Sequence, residues 1–372
     1  MRQICALEIR ILSEELDKEL KSYRIDKFYE TGNGRFRFRL SSERKKVELV
    51  CVLCKRINPT DTIEASEKPT NFAVAMRKRI SNFSIAYVSQ INDDRIICIG
   101  IRKGEEEGKL IFEMFGKGNL IMTGMDDKIS IAYSNHRFKD RAIFPKERYV
   151  PPRNDGLRIT SIQETSKYLQ GLVSSAKGNE SVIKAVVGAT NIGTLYVENA
   201  IMEAGIDLKK PMKEINQEDI NAIGSRILAL EEVIKAPSPR VYTKDGQPVD
   251  YSVSDIRKID SEAVRFDKLH KALDFYSKNE KVEVEERENP EAKELEISIQ
   301  RQKESLKRIE AGIENNRRAG EMIFENMHII NNLIQAAQQD RHITREKLQE
   351  MFPDLEIIDV DLKNKKIRLK MG

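Results

Sequence analysis

The sequence has no tryptophan, only 6% aromatic residues and four cysteines in 372 residues. So few cysteines fit a reducing, cytoplasmic setting best. No apolar run reaches the roughly 20 residues that a membrane-spanning helix needs, so we expect no membrane partner. The first residues, MRQICALEIRILSEELDKEL, are amphipathic but dense in acids, which argues against a signal peptide.

The marks of common enzyme classes are also missing. The four histidines are scattered without ligand spacing, and no phosphate-cradling or dinucleotide-binding glycine motif is present. Cys51 and Cys54 lie in an apolar run where residues three apart face opposite sides of a strand, and no second pair or nearby histidine completes a zinc site. We therefore predict no metal, no cofactor and no small-molecule substrate.

What the sequence does contain is charge, at 33% of residues, with a net charge of +4. The first 150 residues are visibly richer in Lys and Arg than in acids, which permits an RNA partner without demanding one. A chain of 42.8 kDa is large enough for two or three domains.

The pattern of turns and apolar residues predicts an α+β protein. Short strands separated by turn signals indicate a β-rich domain with two helices, a sandwich or a flattened barrel, ending at Pro151-Pro152. Helical periodicity follows, and later a long apolar repeat typical of a coiled coil. We predict a β-rich N-terminal domain (1–153), a helical domain (154–237), linker strands and a helix (238–290), a coiled-coil arm (291–342) and a small helix-plus-hairpin piece (343–372).

Within the helical domain, one stretch resembles a helix-hairpin-helix motif. Gly188 and Gly193-Thr194 precede an apolar helix that ends at Ala204-Gly205-Ile206. Small residues in such a hairpin let backbone amides approach a phosphate. Ordinary glycine-containing turns in a helical packing module explain the same residues, and the sequence leaves both interpretations open.

The stretch from Lys68 to Gly100 combines the most polar features on one frame. Periodicity predicts a helix over 71–83, capped by Thr70 or Asn71, whose polar face carries three consecutive cations, Arg77, Lys78 and Arg79. Two strands follow, and the turn between them ends in Asp94-Arg95. An arginine fork suits a phosphate or a base edge, and Asp94 could orient it. A surface ion pair and a solvated helix face are the simpler alternatives.

This stretch resembles the NFACT family, the ribosome-quality-control tailing factors that include RqcH-like proteins. The shared features are a P-x-x-F-x-x-x-x-R-K helix, a strand with a Gln, and an Asp-Arg pair that opens the next strand. The hairpin KLIFEMFGKGNLIMT (109–123) and the R…Y-x-P-P segment (141–152) match as well. On this resemblance the chain would be an archaeal-type member that lacks the family's C-terminal NFACT-R part, and residues 343–372 would be a partial middle domain.

The resemblance implies a function and a set of tRNA-binding residues. The protein would bind the obstructed large ribosomal subunit with its peptidyl-tRNA, and recruit tRNA, chiefly alanine tRNA, for mRNA-independent C-terminal tailing. A ubiquitin-ligase-type or degradation factor would be a further partner. Asp94 and Arg95 would hold tRNA, and Glu8 stands where relatives carry Asp. The other candidates are the cations Arg77, Lys78, Arg79, Lys117 and Arg141, together with Asn119, although a plain hairpin turn explains Lys117 and Asn119 equally well.

Two other functions compete with this one. The coiled coil could serve a scaffold or an adhesion-type interaction protein without a specific RNA role. The NFACT N-terminal fold is also similar to that of formamidopyrimidine-DNA glycosylases, which attack the sugar with an N-terminal proline amine backed by a Glu. Here Arg2 and Gln3 follow Met1, so the nucleophile is missing, and we expect no enzyme activity.

Overall fold

The computed structural model divides the chain into two compact units, Met1–Val282 and Glu283–Gly372, which are described one at a time. The residues described are 1–32, 34–43, 45–62, 69–154, 156, 161–256, 259, 261–279, 290–340, 342–361, 364 and 366–370. Helices combine with a large antiparallel sheet, as the α+β prediction requires.

A nine-stranded antiparallel sheet dominates the first 150 residues, in the order β4-β3-β2-β1-β5-β6-β7-β8-β9. Its strands are β1 Arg24–Gly32, β2 Arg35–Ser41, β3 Lys46–Val52, β4 Arg56–Thr60, β5 Ser84–Gln90, β6 Ile96–Lys103, β7 Glu106–Glu113, β8 Asn119–Gly124 and β9 Ile129–Ala132. A small hairpin follows, made of β10 His136–Arg137 and β11 Ala142–Ile143. Alternation of side chains explains the strands: in β2, Phe36, Phe38 and Leu40 are buried in the core and alternate with arginines.

The sheet folds over on itself. A single residue pair, Arg24 with Ser84, links β1 to β5. On either side of that link the halves face each other, since Phe38 of β2 meets Phe112 of β7 edge-on with ring centroids 6.0 Å apart. One continuous sheet thus encloses the core between two layers.

Two helices complete this part. Helix α1 (Ala6–Leu20) lies inside, with nine of its residues buried. Helix α2 (Asn71–Ile80) is capped by Thr70, whose hydroxyl accepts a 3.1 Å hydrogen bond from the N–H of Ala73. That side chain satisfies one of the backbone donors that every helix N-terminus leaves open.

The residues after 160 form helices, as their periodicity predicts: α3 Ile162–Ser175, α4 Val182–Ala189, α5 Thr194–Glu203 and α6 Gln217–Lys235. Gly193, at the start of α5, has a φ of +114°, and a Cβ there would lie 2.6 Å from the Cβ of Cys5. The start of α5 therefore packs directly on the N-terminal segment. Phosphate binding by this hairpin stays a prediction.

The segment predicted as linker strands and a helix packs on α1. Strands β12 Arg240–Lys244, β13 Gln247–Ser252 and β14 Glu262–Arg265 form a small sheet and are followed by α7 Leu269–Asn279. Glu15 of α1 accepts hydrogen bonds from the backbone N–H groups of Leu269 (2.8 Å) and His270 (3.0 Å). The predicted boundaries at 153 and 237 remain predictions, and the one at 290 adjoins residues 280–289, which lie outside the described residues.

The second unit contains a long helix and a small α/β piece. Its elements are α8 Pro290–Glu325, α9 Met327–Gln339, α10 Arg345–Met351, β15 Glu356–Asp361 and β16 Lys366–Lys370. A compact core forms around Leu333, Leu348 and Ile357. Several apolar side chains of α8 are exposed, for example Leu306 at 55% and Ile313 at 61%. The coiled coil predicted from this repeat stays a prediction.

Candidate nucleic-acid interface

The turn between β5 and β6 holds the Asp94-Arg95 pair in a defined conformation. Asn92 and Asp93 adopt left-handed backbone angles (φ +55° and +51°), which Asn and Asp tolerate better than most residues. The Asp94 carboxylate accepts a 2.6 Å hydrogen bond from the backbone N–H of Arg95. Asp94 therefore shapes the turn, and the guanidinium of Arg95 turns to other partners.

Two glutamines fix this turn to the start of the chain. The Nε2 of Gln90 donates 2.8 Å hydrogen bonds to the carbonyl oxygens of both Ala6 and Asp94. The Nη1 of Arg95 donates to Oε1 of Gln3 at 3.2 Å. Because Arg95 is half-buried against these neighbours, its guanidinium is already oriented while part of it still faces solvent.

Phe115 lies between two arginines. The guanidinium carbons of Arg95 and Arg141 are each 5.9 Å from the centre of its ring, within the range of cation–π attraction. Arg141 forms an ion pair with Glu113 in which both side chains are nearly buried, at 5% and 4% exposure. The guanidinium of Arg141, a residue predicted from sequence to bind tRNA, is thus paired with a buried carboxylate and lies beside the ring of Phe115.

The same carboxylate organises the exit from the β-rich part. The hydroxyl of Tyr149 donates to Oε1 of Glu113 at 3.1 Å. Burial, reinforced by the negative charge of Glu113, raises the pKa of Tyr149. The hydroxyl therefore remains protonated and donates to the carboxylate. The guanidinium of Arg141 donates to both oxygens of the same carboxylate.

Glu8, which the resemblance included among the tRNA-binding residues, is fully buried, at 0% exposure. Its carboxylate pairs with the guanidinium of Arg2 and accepts hydrogen bonds from the hydroxyls of Tyr196 (2.8 Å) and Tyr251 (3.3 Å). Burial alone would raise the pKa of Glu8, but the Arg2 charge and the surrounding donors outweigh it and hold that pKa below its usual value. Glu8 is therefore an ionised, buried carboxylate that contacts Arg2, Tyr196 and Tyr251. Its direct contact with tRNA stays a prediction.

Arg2 connects the buried Glu8 to residues nearer the surface. Its guanidinium also donates to Asp250 (2.9 Å) and to the carbonyl oxygen of Tyr251 (2.9 Å). These contacts fix the residue next to Gln3, which in turn receives Arg95. Glu8 is thus connected to Arg95 through Arg2 and Gln3. Nothing in the sequence marked Arg2, Gln3 or Tyr196 for this role, since they are joined only by the fold.

A chain of asparagine amides joins the turn to the helical part. The Nδ2 of Asn154 donates to the carbonyl oxygen of Asn92 at 2.7 Å, and the Nδ2 of Asn191 donates to Oδ1 of Asn154 at 2.6 Å. Asn191 belongs to the hairpin between α4 and α5. The two features that the sequence singled out for nucleic-acid binding, the Asp94-Arg95 turn and this hairpin, therefore lie next to each other.

The cations of α2 have other neighbours. Arg77 donates to the carbonyl oxygen of Phe28 (2.6 Å), and its guanidinium carbon is 5.0 Å from the ring centre of Tyr29. Lys78 and Arg79 are exposed. The contacts of Arg77 are thus on β1, whereas those of Arg95 are on Gln3 and Phe115.

The hairpin between β7 and β8 carries two of the predicted tRNA-binding residues, Lys117 and Asn119, and they differ in exposure. Lys117 is exposed at the tip. Asn119 is buried at 5% exposure and exchanges hydrogen bonds with the backbone of Ser134, donating at 2.8 Å and accepting at 3.0 Å. Asn119 thus holds β8 to the segment after β9, which leaves Lys117 as the surface cation of this pair.

The cysteines and the other potential metal ligands are spread over the part of the chain that the structure describes. Within it, no group of three His, Cys, Asp or Glu side chains could hold a metal ion. The four cysteines are free and buried, and burial raises the pKa of Cys51 and Cys98. No helix of the described ranges has the length and apolar character needed to cross a bilayer.

Residues 6–366 match the family described as NFACT N-terminal and middle domains. The chain therefore belongs to the NFACT family, and its relatives confirm the archaeal type predicted from the motifs. The archaeal Rqc2 homolog aRqcH of Methanocaldococcus jannaschii is 28% identical, over 75% of this chain and 42% of that protein. The ribosome quality control complex subunit NEMF of Homo sapiens is 22% identical, over 89% of this chain and 33% of that protein.

A bacterial relative and two solved structures extend the comparison. The Rqc2 homolog RqcH of Bacillus subtilis is 23% identical, over 86% of this chain and 58% of that protein. The chain thus spans 33% to 58% of the length of these relatives. The fibrinogen binding protein from Staphylococcus aureus has a similar structure (TM-score 0.58, 20% identity, 73% of this chain, 98% of that chain). So does the N-terminal part of the fibronectin/fibrinogen-binding protein from Streptococcus suis (TM-score 0.54, 20% identity, 74% and 100%). At that identity the likeness is one of fold alone.

Proposed function

We propose that this chain acts in ribosome-associated quality control in the cytoplasm. It binds the large ribosomal subunit obstructed by peptidyl-tRNA and recruits tRNA, chiefly alanine tRNA, so that a C-terminal tail grows without mRNA. The names of its relatives as ribosome quality control proteins support the general role. The ribosome supplies the peptidyl-transfer chemistry, and this protein positions RNA.

The observation that carries the proposal is the setting of Arg95. Its guanidinium is held by Gln3 and Phe115 on a turn clamped by Gln90, and the hairpin of α4 and α5 adjoins that turn through Asn154. A pre-oriented arginine fork is suited to bidentate contact with a phosphate or a guanine edge. Little side-chain entropy would then be lost when RNA binds.

The remaining candidates divide into two roles on this proposal. Lys78, Arg79 and Lys117 are exposed and add long-range attraction for RNA, which weakens as salt increases. Glu8 and Arg141 are buried and position Arg95 and Phe115 from behind. Substituting the first group should change the salt dependence of binding, and substituting the second should change the geometry of the site.

Retention of tRNA on filters at moderate salt tests the proposal. We expect the wild type to bind and the Asp94→Ala/Arg95→Ala variant to bind at least about tenfold more weakly, a loss within the range of one bidentate contact. Arg102→Ala is the matched control, because it removes an exposed arginine at the opposite end of β6. Equal losses in both variants would show a generic basic surface and contradict the proposal.

A second candidate function rests on α8. Ile309 is 57% exposed and Ile313 is 61% exposed, an arrangement that favours burial against a partner helix. A scaffold role, including contact with a ubiquitin-ligase-type or degradation factor, would use this stripe. If the chain fails to bind tRNA but self-associates or captures such a factor through α8, the scaffold function takes precedence.

A further inference from the structure

A row of cationic and aromatic side chains leads from the Asp94-Arg95 turn to the surface hairpin of β10 and β11. The guanidinium carbon of Arg141 is 5.9 Å from the ring centre of Phe115 and 4.5 Å from that of Phe138. The rings of Phe138 and His136 then meet edge-on, with centroids 4.5 Å apart and an interplanar angle of 61°. With Arg95 at its inner end, this cation–aromatic row has five members (Arg95, Phe115, Arg141, Phe138 and His136).

The inner half of the row is rigid. Arg141 bonds to both oxygens of the buried Glu113, and its Nη1 also donates to the carbonyl oxygen of Val150 at 3.4 Å. The backbone N–H of Phe138 donates to the carbonyl oxygen of Arg141 at 2.8 Å, which closes the hairpin tip. Phe138 is therefore fixed by its own backbone and has a fixed guanidinium against its ring.

The outer half is exposed. Phe138 is 40% exposed although it has a rigid base, and His136 beside it is exposed as well. Arg137 and Lys139, the neighbours of Phe138 in sequence, are also exposed. A phenylalanine that served only to fill the hairpin would be expected to lie deeper, since its whole side chain gains from leaving water. An open ring among cations is the usual composition of a surface that stacks nucleic-acid bases.

We propose that this hairpin is a stacking platform for one unpaired nucleotide of the RNA that Arg95 holds. The base would stack on Phe138 next to His136, and Arg137 and Lys139 would attract the adjoining phosphates. The ligand must be unpaired, because bases within an A-form duplex are already stacked and cannot reach a side chain. This proposal rests on the proposed function, since it extends the Arg95 site outward along the cation–aromatic row.

The absence of tryptophan from the chain provides a direct test. In Phe138→Trp the platform carries the sole indole, and we expect its fluorescence to be quenched by an RNA stem with an unpaired loop but not by the same stem as a blunt duplex. Met125→Trp is the control, since Met125 is exposed to a similar degree, at 49%, in the turn after β8. Its fluorescence should not distinguish the two RNAs.

Affinity gives the second measurement. Phe138→Leu keeps an apolar side chain without a ring, and it should bind the looped RNA about tenfold more weakly while binding the duplex as the wild type does. If Phe138→Leu binds both RNAs normally while Asp94→Ala/Arg95→Ala loses binding, the platform is wrong and the Arg95 site stands. Equal weakening for loop and duplex would also overturn the platform. A wild type that binds neither RNA would overturn both proposals.

Discussion

The hydroxyl of Tyr196 donates a 2.8 Å hydrogen bond to Oε1 of Glu8, and both side chains are buried. This bond joins α5 to α1. The other oxygen of Glu8 accepts from the backbone N–H of Cys5 at 3.0 Å, which caps the first turn of α1. A negative charge at the N-terminus of a helix also interacts favourably with the helix dipole. Glu8 therefore has two sets of contacts: one holds α5 and the start of α1 together, and the other leads through Arg2 and Gln3 to Arg95.

Replacing Glu8 by Gln should destabilise the protein. The substitution preserves the shape of the side chain but leaves the guanidinium of Arg2, which is 26% exposed, without its buried counter-charge. We expect the free energy of unfolding to fall by about 3 kcal/mol, as when one partner of a buried ion pair is removed. Urea titration measures this free energy of unfolding for both proteins. Glu14→Gln, on the exposed face of the same helix, should stay within about 0.5 kcal/mol of the wild type.

The contribution of Glu8 should depend on pH. Its pKa in the folded protein lies below the usual value of 4.5. As the pH falls below that value, the unfolded chain takes up a proton that the folded chain does not, so acid favours unfolding. The stability difference between the wild type and Glu8→Gln should thus be complete near neutral pH and narrow below about pH 4.5. A difference that stays constant down to pH 3 would contradict a pKa of Glu8 that is lower in the folded chain than in the unfolded one.

Glu15 should hold α7 in place. Its carboxylate accepts from the N–H groups of Leu269 and His270, and Oε2 also lies 2.9 Å from Nδ1 of the His270 ring. Glu15→Ala should lower the free energy of unfolding by about 2 kcal/mol, the upper end for a lost helix cap. Amide exchange should accelerate first in α7. Lys271→Ala, which breaks an exposed pair with Asp267, should leave both measurements unchanged.

Local sequence predicted the frame of the site well. Strands β5 and β6 and helix α2 follow from alternation and helical periodicity, and Thr70 is one of the two caps that the sequence offered. These features depend on residues within a few positions of one another. The same local rules predicted the polar turn that ends in Asp94-Arg95.

The interior of the site could not be predicted in this way. Glu8 lies 188 positions from Tyr196, and no local pattern distinguishes a glutamate that will be buried from one that will be solvated. The pairing of Arg141 with Glu113 and the amide bridge from Asn92 to Asn191 likewise depend on how distant segments meet. One local signal was present, since Phe138 stands alone between two cations in a polar turn.

The two glycines of the α4–α5 hairpin should respond in opposite directions to the same substitution. Gly193→Ala forces a side chain into a φ of +114° and places its Cβ 2.6 Å from that of Cys5, so the protein should lose about 2–4 kcal/mol of stability. Gly188 lies within α4, and a Cβ there meets no heavy atom within 4 Å. Gly188→Ala should therefore raise stability by up to about 1 kcal/mol, because alanine favours a helix. Urea titration of the pair decides the matter. A Gly193→Ala variant as stable as the wild type would contradict the close approach of α5 to Cys5, and a Gly188→Ala variant less stable than the wild type would contradict an open position in α4.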